Sequence, residues 1–135
     1  MEACAFCRIV AGETDAHVVY EDDQTAAFLD RNPAVPGHTL VVPKSHSEFL
    51  FTDDVSVAEA VFETVRTVGM AIHETLGSDG VSLFYTSAEL VGTVTHAHVH
   101  VLPRYADDDI HLALARESVP DDEAARLAAR IRDRC

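Results

Sequence analysis

Three histidines recur at every second position in the segment Val94-Thr95-His96-Ala97-His98-Val99-His100-Val101-Leu102. Successive side chains of a β-strand point to opposite faces. The spacing therefore predicts a strand over residues 94–102 with His96, His98 and His100 on one face. Ala97, Val99 and Val101 would form the other, an apolar face suited to packing on helices. Two chemistries suit such an array. Neutral imidazole is a common ligand for zinc, copper or iron. Alternatively, an imidazole crowded by others resists protonation, because each charge disfavours the next. It then stays neutral near pH 7 and can attack an electrophile such as phosphorus. The spacing alone leaves both open. His17, His73 and His111 stand singly and read as ordinary surface or core residues. Cys4 and Cys7 have the spacing that lets two thiolates grip one metal, while Cys135 reads as having no role.

These residues need a scaffold, and the patterning outlines one. Residues 17–21 and 24–30 read as short strands joined by an acidic turn at Asp22-Asp23. Two prolines and a glycine make residues 32–37 a loop, followed by a strand over Thr39–Val42 that Pro43 stops. Val57, Val61, Val65 and Val68 recur at helical steps, with Met70 and Ile72 extending the apolar surface, so residues 55–76 are predicted helical. Asp53, Asp54 or Ser56 could cap that helix and Gly77 could end it. Residues 81–86 form a further strand before the histidine strand. A final helix begins near Pro120, with Asp121, Asp122 and Glu123 in its first turn. Its Ala124, Leu127, Ala128 and Ile131 make an apolar stripe. The order predicts an α+β fold: a mainly antiparallel sheet of about five strands, with one long helix and a C-terminal helix. The length suits one domain over residues 1–135, with a core that needs no disulfide staples.

Composition narrows the setting. The chain carries 23 acidic residues against 10 lysines and arginines, a formal net charge of −13. Such a surface repels a nucleic-acid backbone. Lys44 is the sole lysine, and an acid-rich, lysine-poor composition resembles proteins of salt-loving organisms, where salt screens self-repulsion. A bound polyanion would need a local exception to this field. No run approaches the roughly 20 apolar residues of a membrane span. The start Met1-Glu2-Ala3-Cys4 lacks the basic and apolar regions of a signal peptide. A soluble cytoplasmic protein is expected. Three cysteines do not suit a secreted disulfide framework. The Cys-x-x-Cys pair points to metal or redox chemistry, and no βαβ pattern follows it to favour a thioredoxin-like pair.

The segment from His96 to Arg104, His-Ala-His-Val-His-Val-Leu-Pro-Arg, resembles the signature of the histidine triad family. Residues 4–13, Cys-Ala-Phe-Cys-Arg-Ile-Val-Ala-Gly-Glu, are similar to the family's N-terminal segment. Phe28–Pro33 and Pro36–His46 resemble its second and third blocks, in the same order. The resemblance runs from about residue 4 to about residue 105. It implies a purine-nucleotide-binding hydrolase or transferase acting on dinucleoside polyphosphates, nucleoside phosphoramidates or adenylylated compounds. By it, His98 attacks the α-phosphorus and forms a nucleotidyl-histidine intermediate, with His100 and His38 as hydrogen-bonding neighbours. Asp30 would accept the ribose hydroxyls. Phe6, Ile9 and Phe28 would wall the base, and Thr93 would hold phosphate oxygens. Some family members hold zinc with such a cysteine pair and two histidines, which implies a structural Zn²⁺ on Cys4, Cys7, His46 and His96. A homodimer is also implied, with long helices and a sheet edge at the interface.

The pattern departs from the family before the triad. Tyr85 stands where many members carry an amide side chain, and Gly92 replaces a glutamine that touches phosphate. Loss of such a donor can matter a hundredfold or more. The departure implies slower catalysis, a different leaving group, or a nucleotide sensor that kept the pocket and lost the chemistry.

Overall fold

Asp22 makes the first reversal. Its Oδ1 accepts the backbone N–H groups of Gln24 and Thr25, each at 2.8 Å. Those bonds, with that from Gln24 foremost, hold its carboxyl below the usual carboxylate range. The turn joins β1 (Val18–Glu21) to β2 (Thr25–Leu29) as an antiparallel hairpin. The computed structural model describes residues 4–51, 54–87, 95–111 and 113–135.

The loop after β2 closes on a second turn. The His38 N–H donates to Val35 O at 3.0 Å, with Pro36 and Gly37 between them. Gly37 has φ 99°, the left-handed value that the second central position of a type II turn requires. A Cβ at Gly37 would also stand 2.7 Å from the Leu76 side chain. His38 is thereby delivered to the start of β3 (Thr39–Pro43), which pairs antiparallel with β2 from Thr25↔Pro43 to Leu29↔Thr39.

The long helix α2 spans Val55–Leu76, the range its periodicity predicts. Asp54 caps it by accepting the Ser56 N–H at 2.9 Å, and Gly77 ends it at φ 62°. Val61, Val65 and Val68 face inward, but Met70 does not extend that face: it is 53% exposed. The remaining elements are α1 (Ala5–Val10), β4 (Gly80–Phe84), β5 (Val99–Arg104) and α3 (Asp121–Arg132). Five strands form one antiparallel sheet in the order β1-β2-β3-β5-β4.

The sheet is covered on both sides. Ala27, Val41, Val99 and Val101 pack with Val61, Val65 and Val68 under α2. Ala26, Phe28, Leu40 and Val42 pack with Phe6 on the α1 side. This explains why β2 and β3 are apolar almost throughout rather than alternating. The short helix α1 is not among the elements expected from patterning. Six residues hold too little periodicity to separate it from a loop.

One further expectation is corrected. The histidine strand begins at Val99, so the described residues 95–98 stand outside it, and residue 94 lies outside the described residues. The β3–β5 ladder stops at Val41↔Val99, because β3 ends on Pro43, which has no N–H to donate. Ala97 instead donates to Ser47 O at 2.6 Å, so His96 and His98 precede the strand. The apolar stripe on α3 is left exposed, since the helix has no buried residue. Among the described residues, no helix is long and apolar enough to cross a membrane.

Candidate active site and metal centre

His98, His100, Asp30, Phe6, Ile9 and Phe28 all line one cleft of about 980 Å³. They arrive from three places. β2 and its end carry Phe28 and Asp30, α1 carries Phe6 and Ile9, and the approach to β5 carries the histidines. His38 lies behind them, buried. Thr93 and Gly92 lie outside the described residues. Tyr85 turns elsewhere: its hydroxyl accepts the Leu50 N–H at 3.0 Å, and its ring packs 5.9 Å from that of Phe51.

Hydrogen bonds assign the imidazole tautomers. A backbone N–H can only donate, and that of Ala34 lies 3.0 Å from His38 Nδ1. Neutral His38 therefore carries its proton on Nε2. That N–H faces His100 Nδ1 at 2.9 Å and Asp30 Oδ2 at 3.3 Å. His100 Nδ1 is then an acceptor, which leaves an N–H on its Nε2. Burial pushes the His38 imidazole down, opposed by the Asp30 carboxylate. Burial pushes His100 down to about 4, helped by His98 and His38 and opposed by Asp30.

His98 is set differently. Its Nδ1 lies 2.8 Å from the carbonyl oxygen of His96. A carbonyl can only accept, so Nδ1 bears the proton. In the neutral ring Nε2 keeps its lone pair, which is what a nucleophile toward phosphorus needs. The ring of Phe6 meets His98 edge-on at 5.1 Å and Phe28 at 5.4 Å, joining the apolar wall to the histidines.

His96 parts from its two neighbours. It is fully buried, and its Nε2 donates to Pro43 O at 2.8 Å. Its Nδ1 thus keeps a lone pair, 3.4 Å from Cys4 Sγ and 3.5 Å from Cys7 Sγ. His46 Nδ1 lies 3.3 Å from Cys7 Sγ, while its Nε2 faces Glu48 Oε2 at 3.4 Å. The four donor atoms lie within 4.8 Å of one another. A tetrahedral zinc with ordinary bond lengths separates sulfur from nitrogen by about 3.5 Å. The outer nitrogens held by a carbonyl and a carboxylate match the usual support of metal-bound histidine. The residues therefore fit a Cys₂His₂ metal site. Burial, then the contact with Cys4, pushes the Cys7 thiol up.

Arg8, Asp15, Arg31 and Leu40 also line the cleft, and so does His17, whose isolation in the sequence reads as that of an ordinary surface or core residue. Ala5, Phe6, Arg8 and Ile9 have the spacing of one helical face, a signal visible only once α1 is known to be a helix. His17 and Arg31 come from loops and leave no periodic trace. The two arginines supply the local exception that an acidic chain needs to receive an anion.

Comparison with known proteins agrees with this geometry. Residues 11–107 match the HIT domain family. The adenylylsulfatase HINT3 of Arabidopsis thaliana is 35% identical over 133 residues, covering 96% of this chain and 68% of that protein. A solved structure from Streptococcus mutans superposes with a TM-score of 0.92 at 33% identity, covering 99% of this chain and 86% of that one. A zinc-bound histidine triad protein of Mycobacterium smegmatis superposes at 0.76 with 30% identity, covering 98% and 95%. The chain belongs to the histidine triad, or HIT domain, family.

Proposed function

We propose that this protein is a nucleotidyl hydrolase or transferase that works through His98 on dinucleoside polyphosphates or nucleoside phosphoramidates. The observation that carries the reading is the bond from His98 Nδ1 to the His96 carbonyl, which reserves Nε2 for attack. Nε2 forms a bond to the α-phosphorus as the bond to the leaving oxygen or nitrogen breaks; its electron pair departs with that group, and a leaving nitrogen takes up a proton from solvent as it goes. Water then attacks phosphorus, the N–P bond breaks, its electron pair returns to Nε2, and a nucleoside monophosphate and a proton leave. His100 Nε2–H donates toward the phosphoryl oxygens, and His38 fixes the tautomer of His100. Asp30 accepts the ribose hydroxyls, while Phe6, Ile9 and Phe28 hold a purine. Thr93 is proposed as a phosphate contact from the resemblance alone. The relative named for adenylylsulfatase activity supports this class of reaction.

We further propose a Zn²⁺ ion on Cys4, Cys7, His46 and His96. Bound there, zinc neutralises the thiolates and cross-links α1 to the segments carrying His46 and His96. With four protein ligands its role is structural. A homodimer is supported by apolar side chains left exposed on α2 and the edge strand β4, among them Phe62, Met70 and Leu83.

The test is turnover of a dinucleoside polyphosphate and of an adenosine phosphoramidate by wild type, His98→Ala and His98→Asn. Both variants are expected to fold and to lose activity roughly 10³-fold or more. Equal rates in variant and wild type reject the mechanism. A second reading is favoured by Tyr85, whose hydroxyl is committed to Leu50 rather than the cleft. It is a nucleotide sensor without useful turnover, recognised by calorimetric binding of a nucleotide and no product.

A further inference from the structure

We infer that Phe84 is a positioning residue: its ring, stacked on His100, fixes the plane in which His100 presents Nε2–H to the cleft. The inference rests on the His98 reading above and adds a residue to it. Phe84 ends β4 and is the direct cross-strand partner of His100 on β5. Their rings are parallel within 12°, with centroids 4.2 Å apart. The ring of His98 meets His100 at 5.0 Å and 60°. Among the described residues, the polar hold on the His100 ring is the bond from His38 Nε2 to its Nδ1, at 2.9 Å.

One hydrogen bond tolerates a range of lengths and angles, so it restrains the ring only loosely. Within that range the imidazole can tilt about χ1 and χ2 and swing Nε2, the atom that faces substrate. A displacement on the order of 1 Å at a catalytic group can lower the rate about a hundredfold. A flat ring against one imidazole face removes that tilt. Offset parallel stacking is a favoured arrangement for such rings. Phe84 can also act without holding the fold together, since it is 44% exposed.

The same ring keeps water from one face of His100. Among the described residues, the charged and titratable groups that face His100 are His98, His38 and Asp30. Without Phe84, water reaches the imidazole and its protonation becomes easier. Loss of the ring's attraction for an imidazolium acts the other way, but burial is the larger influence on His100. Protonation puts a second hydrogen on Nδ1, opposite the His38 N–H, and breaks the contact between them.

The experiment compares Phe84→Ala, Phe84→Leu and Phe84→Tyr in the full chain at matched assembly state, with an adenosine phosphoramidate from pH 3.5 to 8. Phe84→Ala is expected to lower kcat ten- to a hundredfold with KM changed less than about threefold. The acid limb of kcat should move up by about one pH unit. The His100 ring resonances should titrate at correspondingly higher pH, a readout that needs no turnover. Phe84→Tyr should restore all three properties. Phe84→Leu, apolar but not flat, should not restore kcat. An unmoved acid limb and ring titration in Phe84→Ala, or full rescue by leucine, overturns the inference. His98→Ala separates the two readings: if that variant is inactive while Phe84→Ala behaves as wild type, only the positioning role fails. If His98→Ala keeps full turnover, both fail.

Discussion

His100 is a half-buried base that the fold holds neutral, and this has a consequence for stability. Its pKa in the folded chain is about 4, because burial disfavours the imidazolium, against about 6.5 when unfolded. Between these values the unfolded chain binds a proton that the folded chain refuses. Stability therefore falls as pH drops from about 6.5 to about 4, and the contribution is constant above and below that window. The full difference is on the order of 3 kcal/mol. His38 and His96 are also pushed down by burial and add to the same trend. Urea unfolding of wild type and His100→Asn at pH 7 and pH 4.5 isolates the term. The variant should lose distinctly less stability on acidification, and an identical loss contradicts a His100 held neutral by the fold. At this scale the sequence was informative where chemistry demands a residue type. Cys4, Cys7, His46 and His96 converge as the family resemblance implies, and His38 meets His100 and Asp30. It was silent on Phe84, because a stacked ring across two strands has no signature in spacing. It could not say what Tyr85 does instead of supplying an amide, since its partner, Leu50, lies 35 residues away.

Helix α1 carries more of the site than its six residues suggest. So short a helix is not stable alone in water. It is held by Phe6 in the core and by the cysteines at its start, where Cys4 Sγ accepts the Cys7 N–H at 3.3 Å. Phe6 touches His96 edge-on at 5.9 Å and His98 at 5.1 Å, so one ring spans the metal centre and the reactive centre. Loosening the cysteine end should then open the base wall. Elemental analysis is expected to find about one zinc per chain, lost in Cys4→Ser/Cys7→Ser. That variant should bind nucleotide several-fold more weakly, with kcat less affected, and lose several kcal/mol of stability. Metal content near zero in wild type, or unchanged binding in the variant, breaks the link. The elements were unequally legible. The 22 residues of α2 gave enough turns and caps to be bounded correctly. The start of β5 was not, because a Pro43 on a neighbouring strand, distant in sequence, ends the ladder. The destination of the α3 stripe was not legible either, since periodicity reports an apolar face and not what covers it.

At the scale of the molecule the dominant fact is a formal charge of −13. It is unevenly placed, since residues 113–135 hold five acidic and five basic side chains and the excess lies wholly in residues 1–112. Self-repulsion opposes the compact state and reaches as far as the Debye length, about 10 Å at 0.1 M salt and about 3 Å at 1 M. The main body should therefore gain stability as salt rises. Between 0.1 and 2 M KCl a gain of roughly 1–2 kcal/mol is expected, or about 4–10 °C in Tm. Salt also strengthens apolar burial, so a charge variant is needed to separate the causes. Glu59, Glu63 and Glu74 are exposed on α2, and Glu59 and Glu63 stand four residues apart, where like charges repel. Replacing all three with glutamine should raise Tm at 0.1 M KCl and flatten its rise with salt. If the triple variant keeps the wild-type slope, repulsion is not what salt relieves, and the acidic composition serves solubility rather than stability. The cleft should respond in the opposite sense. Its arginines draw an anionic nucleotide through this field, and screening weakens that attraction. KM should therefore rise with KCl over the range in which the fold becomes more stable.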